Sequence, residues 1–220
     1  MPFSPFALFI LIFGIVMLLT FIQIGLMTIA FERLGLSAGS ALGLLLVSLL
    51  GSAINLPLFR IKAEAPPPDA AARRLYSVLR PQALQFRGYT VISVNIGGAV
   101  VPLAFSLYLL IHHPLPLLQV LAGTAAVAVV CYFASRPIPG LGIGIPILVA
   151  PLCAALVAII INHDQSAPLA YICGTIGVLI GADIFRLRDI GKMGTPVASI
   201  GGAGTFDGIF ITGIVAVLLA

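Results

Sequence analysis

The sequence predicts an all-α integral membrane protein, a single domain over residues 1–220 built as a bundle of about seven transmembrane helices. The first observation behind this fold class is the composition, because 60% of the 220 residues are hydrophobic and only 8% are charged. A soluble domain carries roughly 25% charged residues and needs polar groups to cover its surface. With a mean hydropathy of +1.20, the surface of this chain must face lipid.

The second observation is a series of apolar runs, each long enough for a membrane-spanning helix of about 20 residues. Polar residues, prolines or glycines separate one run from the next. At the start of the fifth run, the prolines and glycines of residues 136–146 disfavour a regular helix, so we expect a loop or a short re-entrant piece there. The predicted spans are residues 5–31, 38–58, 89–111, 115–134, 143–161, 167–185 and 196–220.

The third observation is the position of the basic residues, which lie on alternate connections between the spans. Six of the eleven lie in residues 59–88, one is Arg136 and three follow the sixth span, which leaves only Arg33 on the opposite side. Because Lys and Arg accumulate in cytoplasmic loops, this pattern predicts a cytoplasmic N-terminus and an external Ala220. The predicted location is the cytoplasmic (inner) membrane of a bacterium or archaeon, crossed in several passes.

The connection 59–88 is the longest polar segment. Asp69 follows three prolines and is placed to cap a short helix that ends before Pro81. Apolar residues recur there at helical spacing beside arginines, which predicts an interfacial helix on the anionic inner leaflet; a docking site for a soluble partner is the alternative. The apolar residues are Leu75, Val78 and Leu79, and the arginines are Arg73, Arg74 and Arg80.

Composition and spacing do not support a nucleic-acid, disulfide or metal site. No basic patch is interleaved with aromatic residues, so nucleic acid is not an expected partner. The cysteines Cys131, Cys153 and Cys173 lie in apolar runs and are expected to be small buried side chains without disulfides. The histidines and Asp164 on the predicted outer connections lack a metal-binding spacing, so we predict no metal site and no cofactor.

Two acidic residues lie within predicted spans, where charge is costly and therefore points to function. Asp183 lies in the sixth span, with about 24 Å of helix between it and Pro168 at the outer end. Asp207 lies in the seventh span, about 21 Å of helix from Ala220. On adjacent and oppositely directed spans, the two carboxyl groups are predicted to reach similar depths in a hydrocarbon core of about 30 Å.

A pair of close carboxyl groups shares one proton, which suits a site where one group activates water and the other polarises a carbonyl. We therefore predict Asp183 and Asp207 as catalytic residues. A second use of such a pair is the coupling of protons or ions to transport. The alternative is that both acids are structural. Asp183 would then be solvated or paired with Arg186, and Asp207 would cap a helix. Glycines near Asp207 let a substrate approach closely, and these are Gly201, Gly202, Gly204 and Gly208.

Asn95 is a polar residue of the third predicted span and lies beside Gly97 and Gly98. An amide next to small residues can hydrogen-bond to a neighbouring helix, which is the simplest interpretation of this residue. The alternative is that Asn95 lines a polar pathway and contacts a substrate.

Four segments resemble domain-of-unknown-function family 1614, whose members are bacterial and archaeal membrane proteins. The resemblance spans most of the chain and implies a membrane protein, but the family has no established activity to carry over. The segments are GSAINLPLFRI (51–61), VISVNIGGAVVPLAFSLYLL (91–110), SRPIPGLGIGIP (135–146) and LIGADIFRLRDIGKMGTPVASIGGAGTFDGIF (179–210).

The two acids also resemble those of the presenilin-type and prepilin-peptidase-type intramembrane aspartyl proteases. Those families use one aspartate within a span and a second after a Gly-x-Gly motif on another span, which Asp183 and Asp207 would match. In this sequence Thr205 and Phe206 separate the second glycine from Asp207, and no tyrosine precedes Asp183. The resemblance implies an intramembrane aspartyl hydrolase that cleaves a membrane peptide.

The residues leave two other functions open. A small-solute or ion transporter would use the acids for proton coupling. A non-catalytic accessory or assembly subunit would need neither acid and would bind other membrane subunits. All three functions have the lipid bilayer as a partner.

Overall fold

The structure, a computed structural model, describes residues 24–64, 88–138, 142–202 and 208–220. This part of the chain is mostly helical and contains two small β-sheets. The helices are α1 (Ile24–Arg33), α2 (Ala38–Gly51), α3 (Ile96–His112), α4 (Leu117–Ala134), α5 (Val149–Ile161), α6 (Ser166–Ile184), α7 (Leu187–Ile190) and α8 (Gly208–Leu219). The strands are β1 (Asn55–Lys62), β2 (Tyr89–Asn95), β3 (Arg136–Ile138), β4 (Gly142–Gly144) and β5 (Val197–Ile200).

Strands β1, β2 and β5 form a three-stranded sheet in that order. The central strand β2 runs antiparallel to β1, with Asn55 opposite Asn95, and parallel to β5, with Ser93 opposite Ser199. Strands β3 and β4 form a separate antiparallel hairpin. The three-stranded sheet packs through Ile92 against α7.

This sheet shows that the all-α prediction is wrong in part, because it takes residues 55–58, 89–95 and 197–200 from three predicted spans. In β2, apolar and polar side chains alternate from Ile92 to Asn95 and most residues are β-branched, both of which suit a strand. Hydropathy hides this pattern, because a short apolar strand and the end of an apolar helix look alike on that scale.

Helices α4 and α6 agree with the predicted spans 115–134 and 167–185 to within two residues at each end. They are also the two described helices that are long and apolar enough to cross a membrane. Helices α1 and α2 meet that criterion only as a pair, and they are bent by 113° with respect to each other. The described part of the chain therefore does not contain seven full-length spans.

Other predicted features fall partly or wholly outside the described residues. These are residues 5–23 of the first predicted span and the interfacial helix, which was predicted between Asp69 and Pro81 of the connection 59–88. The described ends of that connection are strands β1 and β2. The segment 136–146, expected to lack a regular helix, contains the β3–β4 hairpin, and α5 consequently begins at Val149.

Helix α6 lies at the centre of the helical part and packs against α3, α4, α5 and α8. Its residues from Leu169 to Cys173 are at most 1% exposed, as expected for a helix that is apolar on all sides. Its glycines permit close packing, since a side-chain carbon at Gly177 would lie 2.7 Å from Val127. The three cysteines are free, as predicted.

Polar contacts join the helices at one end of this bundle. Arg33 of α1 donates hydrogen bonds to the carbonyl oxygens of Val217 (3.2 Å) and Leu218 (3.5 Å) in the last turn of α8. Ser166, at the start of α6, donates to the carbonyl oxygen of Ala220 at 3.0 Å. The C-terminal residues thus lie beside the end of α1 and the start of α6.

Arg186 joins the helices at the opposite end of α6. It donates to the carbonyl oxygens of Tyr132 (2.8 Å) and Ser135 (3.0 Å), and its guanidinium carbon lies 4.3 Å from the centre of the Tyr132 ring. It also forms an ion pair with Asp189 at 3.0 Å. Because these carbonyls close the C-terminus of α4, helices α4 and α6 run in the same direction and end together.

We predict that Arg186→Gln lowers the melting temperature in detergent micelles by about 5–10 °C, because it removes the ion pair and leaves carbonyl oxygens at the end of α4 without donors. Arg188→Gln is the matched control, since Arg188 is exposed in the same segment. Its melting temperature should stay within about 2 °C of wild type. Equal melting temperatures for the two variants would mean that Arg186 does not hold α4 and α6 together.

Candidate functional site

Asp183 lies where α6 widens near its end. Residues Leu179–Ile184 are π-helical, a form that occurs mostly as single turns within α-helices and frequently at functional sites. The helix is also tightly packed there, because a side-chain carbon on Gly181 would overlap the carbonyl group of Ala128 in α4. In this geometry Oδ2 of Asp183 accepts a hydrogen bond from the backbone N–H of Gly201 at 2.8 Å.

The carbonyl group of Gly201 is also closely packed. Its oxygen lies so near Gly98 that a side-chain carbon on Gly98 would overlap it. Gly98 belongs to a second π-helical stretch, Ile96–Val100, which begins α3. Gly201 has a φ of +80°, and a side-chain carbon there would lie 2.6 Å from Cβ of Ala99, so glycine is required. We call Gly201 together with the two π-helical stretches the Gly201 junction.

Asn95 ends β2 and caps the start of α3. Its Oδ1 accepts from the N–H of Gly98 at 2.7 Å, and its Nδ2 donates to the carbonyl oxygen of Ser52 at 2.7 Å and to Oδ1 of Asn55 at 3.1 Å. Ser199 of β5 donates to the same Asn55 oxygen at 2.5 Å. Asn95 is 1% exposed, so these bonds lie inside the protein. Its amide connects the end of α2 and β1 directly to the Gly201 junction, and it connects β5 through Asn55.

The structure brings several predicted site residues to this junction. Asp183 and Gly201 are in direct contact, and Asn95 reaches the junction through Gly98. Arg186 forms its ion pair with Asp189. Asp183 contacts the backbone at the point where the glycine-rich stretch begins.

The remaining predicted site residues follow Gly201 along the chain. Gly202 has a φ of +90°, a conformation that favours glycine, and Gly208 is the first residue of α8. Gly204 and Asp207 lie outside the described residues. The contact between Asp183 and Asp207 therefore stays a prediction.

The sequence analysis missed the pairing of β2 with β5, and with it Asn55 and Ser199. The two strands carry similar tetrapeptides, VISV at 91–94 and VASI at 197–200, which align residue for residue in parallel register. In each case a glycine pair follows within a few residues, Gly97 and Gly98 at the start of α3 and Gly201 and Gly202 directly after β5. This repeated order of strand and glycine pair was the available signal for the junction.

The polar side chains at the far end of the bundle contact one another. His113 lies 3.1 Å from Oε1 of Gln165, and Asn162 donates to Gln119 at 2.9 Å. No group of three or more His, Cys, Asp or Glu in the part of the chain that the structure describes is arranged to hold a metal ion.

These features define the class of protein: mostly helical, with helices of membrane-spanning length and apolarity, and with a small sheet whose strands lead into two of the helices. The chain belongs to the family described as "Protein of unknown function (DUF1614)", which matches residues 49–219 and so confirms the family predicted from the sequence. The matched region includes Asn95, Asp183 and Gly201. No curated protein and no solved structure matches the chain.

We predict that Gly98→Ala destabilises the protein by about 1–3 kcal/mol, because the added methyl group would occupy the position of the Gly201 carbonyl oxygen and force α3 away from β5. Equilibrium unfolding in mixed micelles measures the effect. Gly43→Ala is the matched control, since the same change meets open space within α2 and should be neutral or stabilising by up to about 1 kcal/mol. Equal stability of Gly98→Ala and wild type would contradict the tight contact.

Proposed function

We propose that this chain is a multi-pass protein of a bacterial or archaeal cytoplasmic membrane that hydrolyses peptide bonds of membrane peptides, with Asp183 and Asp207 as its catalytic pair. The observation that carries the proposal is the hydrogen bond between the Asp183 carboxylate and the N–H of Gly201. Gly201 begins the glycine-rich stretch that ends in Asp207, six residues later. One acid thus binds the backbone of the short segment that carries the other.

The packing of α6 on α8 supports a similar height for the two acids. Ser166 bonds to Ala220, and Gly174 packs beside Thr212, so the helices are adjacent and antiparallel. Counting back along α8 at equal rise, Gly208 lies level with about residue 178 of α6.

Gly208 is the described residue next to Asp207 in the chain, and it lies about five residues, or roughly 7–8 Å, along α6 from Asp183. An offset of this size supports the proposal that the two carboxyl groups influence each other's ionisation.

Such a pair suits peptide hydrolysis. With one proton shared between them, the ionised carboxylate takes a proton from water while the protonated acid donates a hydrogen bond to the peptide carbonyl. The water oxygen bonds to the carbonyl carbon, the C–N bond breaks and the leaving nitrogen takes a proton. Glycines Gly202, Gly204 and Gly208 would leave the backbone open to an extended substrate next to this pair, whereas the backbone of Gly201 is already occupied by Asp183 and Gly98.

We predict that Asp183→Asn and Asp207→Asn each lower the cleavage rate by about 10²–10⁴-fold, because an amide cannot act as the base or the acid. Asparagine keeps an oxygen at position 183 that accepts the Gly201 N–H, so folding should persist. The assay places the protein in proteoliposomes with single-span membrane peptides in H₂¹⁸O. Mass spectrometry then identifies products that carry one ¹⁸O atom in the new carboxyl group.

Asp164→Asn is the control, because Asp164 is exposed at the opposite end of α6 and should be dispensable. Full cleavage by either variant at position 183 or 207 would refute the catalytic pair. If both acids are dispensable and other membrane proteins co-purify reproducibly, the chain is an accessory subunit instead.

A second candidate function is proton-coupled transport of a small solute or ion. It is favoured by the two parallel strands that each lead into a glycine pair, since transporters build their sites from interrupted segments at corresponding positions. A pH-dependent flux in proteoliposomes that is lost in Asp183→Asn, with no ¹⁸O-labelled product in wild type, would support transport and exclude the hydrolase.

The proposed topology has seven spans, with a cytoplasmic N-terminus and an external C-terminus. Arg33, the one basic residue assigned to the outside, contacts the C-terminal turn of α8, while Arg186 lies at the other end of α6. This arrangement supports the alternation of basic connections along the chain.

We predict that a membrane-impermeant maleimide labels Ser37→Cys and His163→Cys in intact cells, but labels Glu64→Cys only after the membrane is permeabilised. All three positions are exposed, so access to the reagent depends on the side of the membrane. The native cysteines are first replaced by alanine. Labelling of Glu64→Cys in intact cells would overturn the orientation.

A further inference from the structure

An exposed apolar surface continues from α2 into the edge strand β1. On α2, Leu46 and Leu50 are 48% and 70% exposed. On β1, Leu56, Leu58 and Phe59 are 47%, 57% and 46% exposed. The residue after Phe59 is the cation Arg60. Exposed apolar side chains are thus followed along β1 by positively charged ones, as in a segment that passes from the acyl chains to the headgroups of a membrane.

Two exposed cations, Arg60 and Lys62, follow this apolar stretch. They lie on the same face of β1, because they are two residues apart, and their Cα atoms are roughly 7 Å apart. The guanidinium carbon of Arg60 lies 4.9 Å from the centre of the Tyr89 ring, and Lys62 is directly opposite Tyr89 in the register. Tyrosine is typical of the membrane interface.

Within the described part of the chain, neither Arg60 nor Lys62 forms an ion pair with a carboxylate. Glu64 follows Lys62 in the sequence but is not within ion-pair distance. The ion pair that the described residues form is that of Arg186 with Asp189. Two like charges at this spacing repel each other, and an anion between them removes the repulsion. Arginine and lysine are the side chains that bind phosphate groups, arginine with several donors at once.

We propose that β1 binds an anionic phospholipid of the inner leaflet, with the lipid phosphate between Arg60 and Lys62 and the acyl chains reaching across the open edge of β1 to Leu56, Leu58 and Phe59. The register shift puts Leu56 and Phe59 on the face opposite to that of Arg60 and Lys62, and an edge strand leaves both faces within reach of one lipid. The adjoining apolar side chains favour a lipid over free phosphate, which would gain nothing from them. A second protein strand fits the same edge poorly, because Pro57 lacks an N–H and the register of β1 shifts between Pro57 and Phe59.

The experiment titrates the purified full-length protein, in detergent micelles, with phosphatidylglycerol and with phosphatidylcholine of the same acyl chains, and native mass spectrometry counts the bound lipid. We expect phosphatidylglycerol to bind more tightly than phosphatidylcholine. The double variant Arg60→Gln/Lys62→Gln should bind phosphatidylglycerol about 30-fold more weakly. Raising the salt concentration should reduce the difference between the two lipids.

The control is Arg188→Gln/Lys192→Gln, which removes two exposed cations of the α7 segment and should leave lipid binding unchanged. Equal binding of the two lipids, unchanged binding by Arg60→Gln/Lys62→Gln, or displacement of the lipid by millimolar inorganic phosphate would each overturn the proposal. Asp183→Asn should bind phosphatidylglycerol as wild type does, so this test is independent of the proposed hydrolase.

Discussion

The backbone of Gly201 is the constraint on which the rest of the structure depends. Its N–H bonds to the Asp183 carboxylate and its carbonyl oxygen lies against Gly98. A buried backbone N–H needs a hydrogen-bond partner, and Asp183 supplies it from α6. Gly98 leaves room for the carbonyl oxygen because it has no side chain.

The sheet explains how three distant segments arrive at this point. Strands β2 and β5 are parallel, so both end at the same edge of the sheet, where β2 leads into α3 and β5 leads into Gly201. Asn95 caps α3 while bonding to the end of α2. Both helices that touch Gly201 are π-helical at the contact. At α3 the glycine Gly98 lets backbone meet backbone, whereas α6 reaches Gly201 through the side chain of Asp183.

The sequence predicted the helical elements best where hydropathy and length agree. Helices α4 and α6 were predicted almost residue for residue, and Asp183 lies within α6 as the predicted span required. The strands were missed because their residues are apolar and lie at the ends of longer apolar runs. Asn95 was noticed as an amide beside glycines, but its partners Ser52 and Asn55 were not.

Composition by itself determined that this chain is apolar enough for a membrane, and the order of residues in four segments placed it in its family. Hydropathy is a sum over neighbouring residues, which a sequence displays directly. Only the tertiary structure decided that strands interrupt three of the apolar runs and that Asp183 binds Gly201, 18 residues away. Strand pairing and the close approach of glycines depend on partners that are distant in the chain, and hydropathy carries no record of which segments meet.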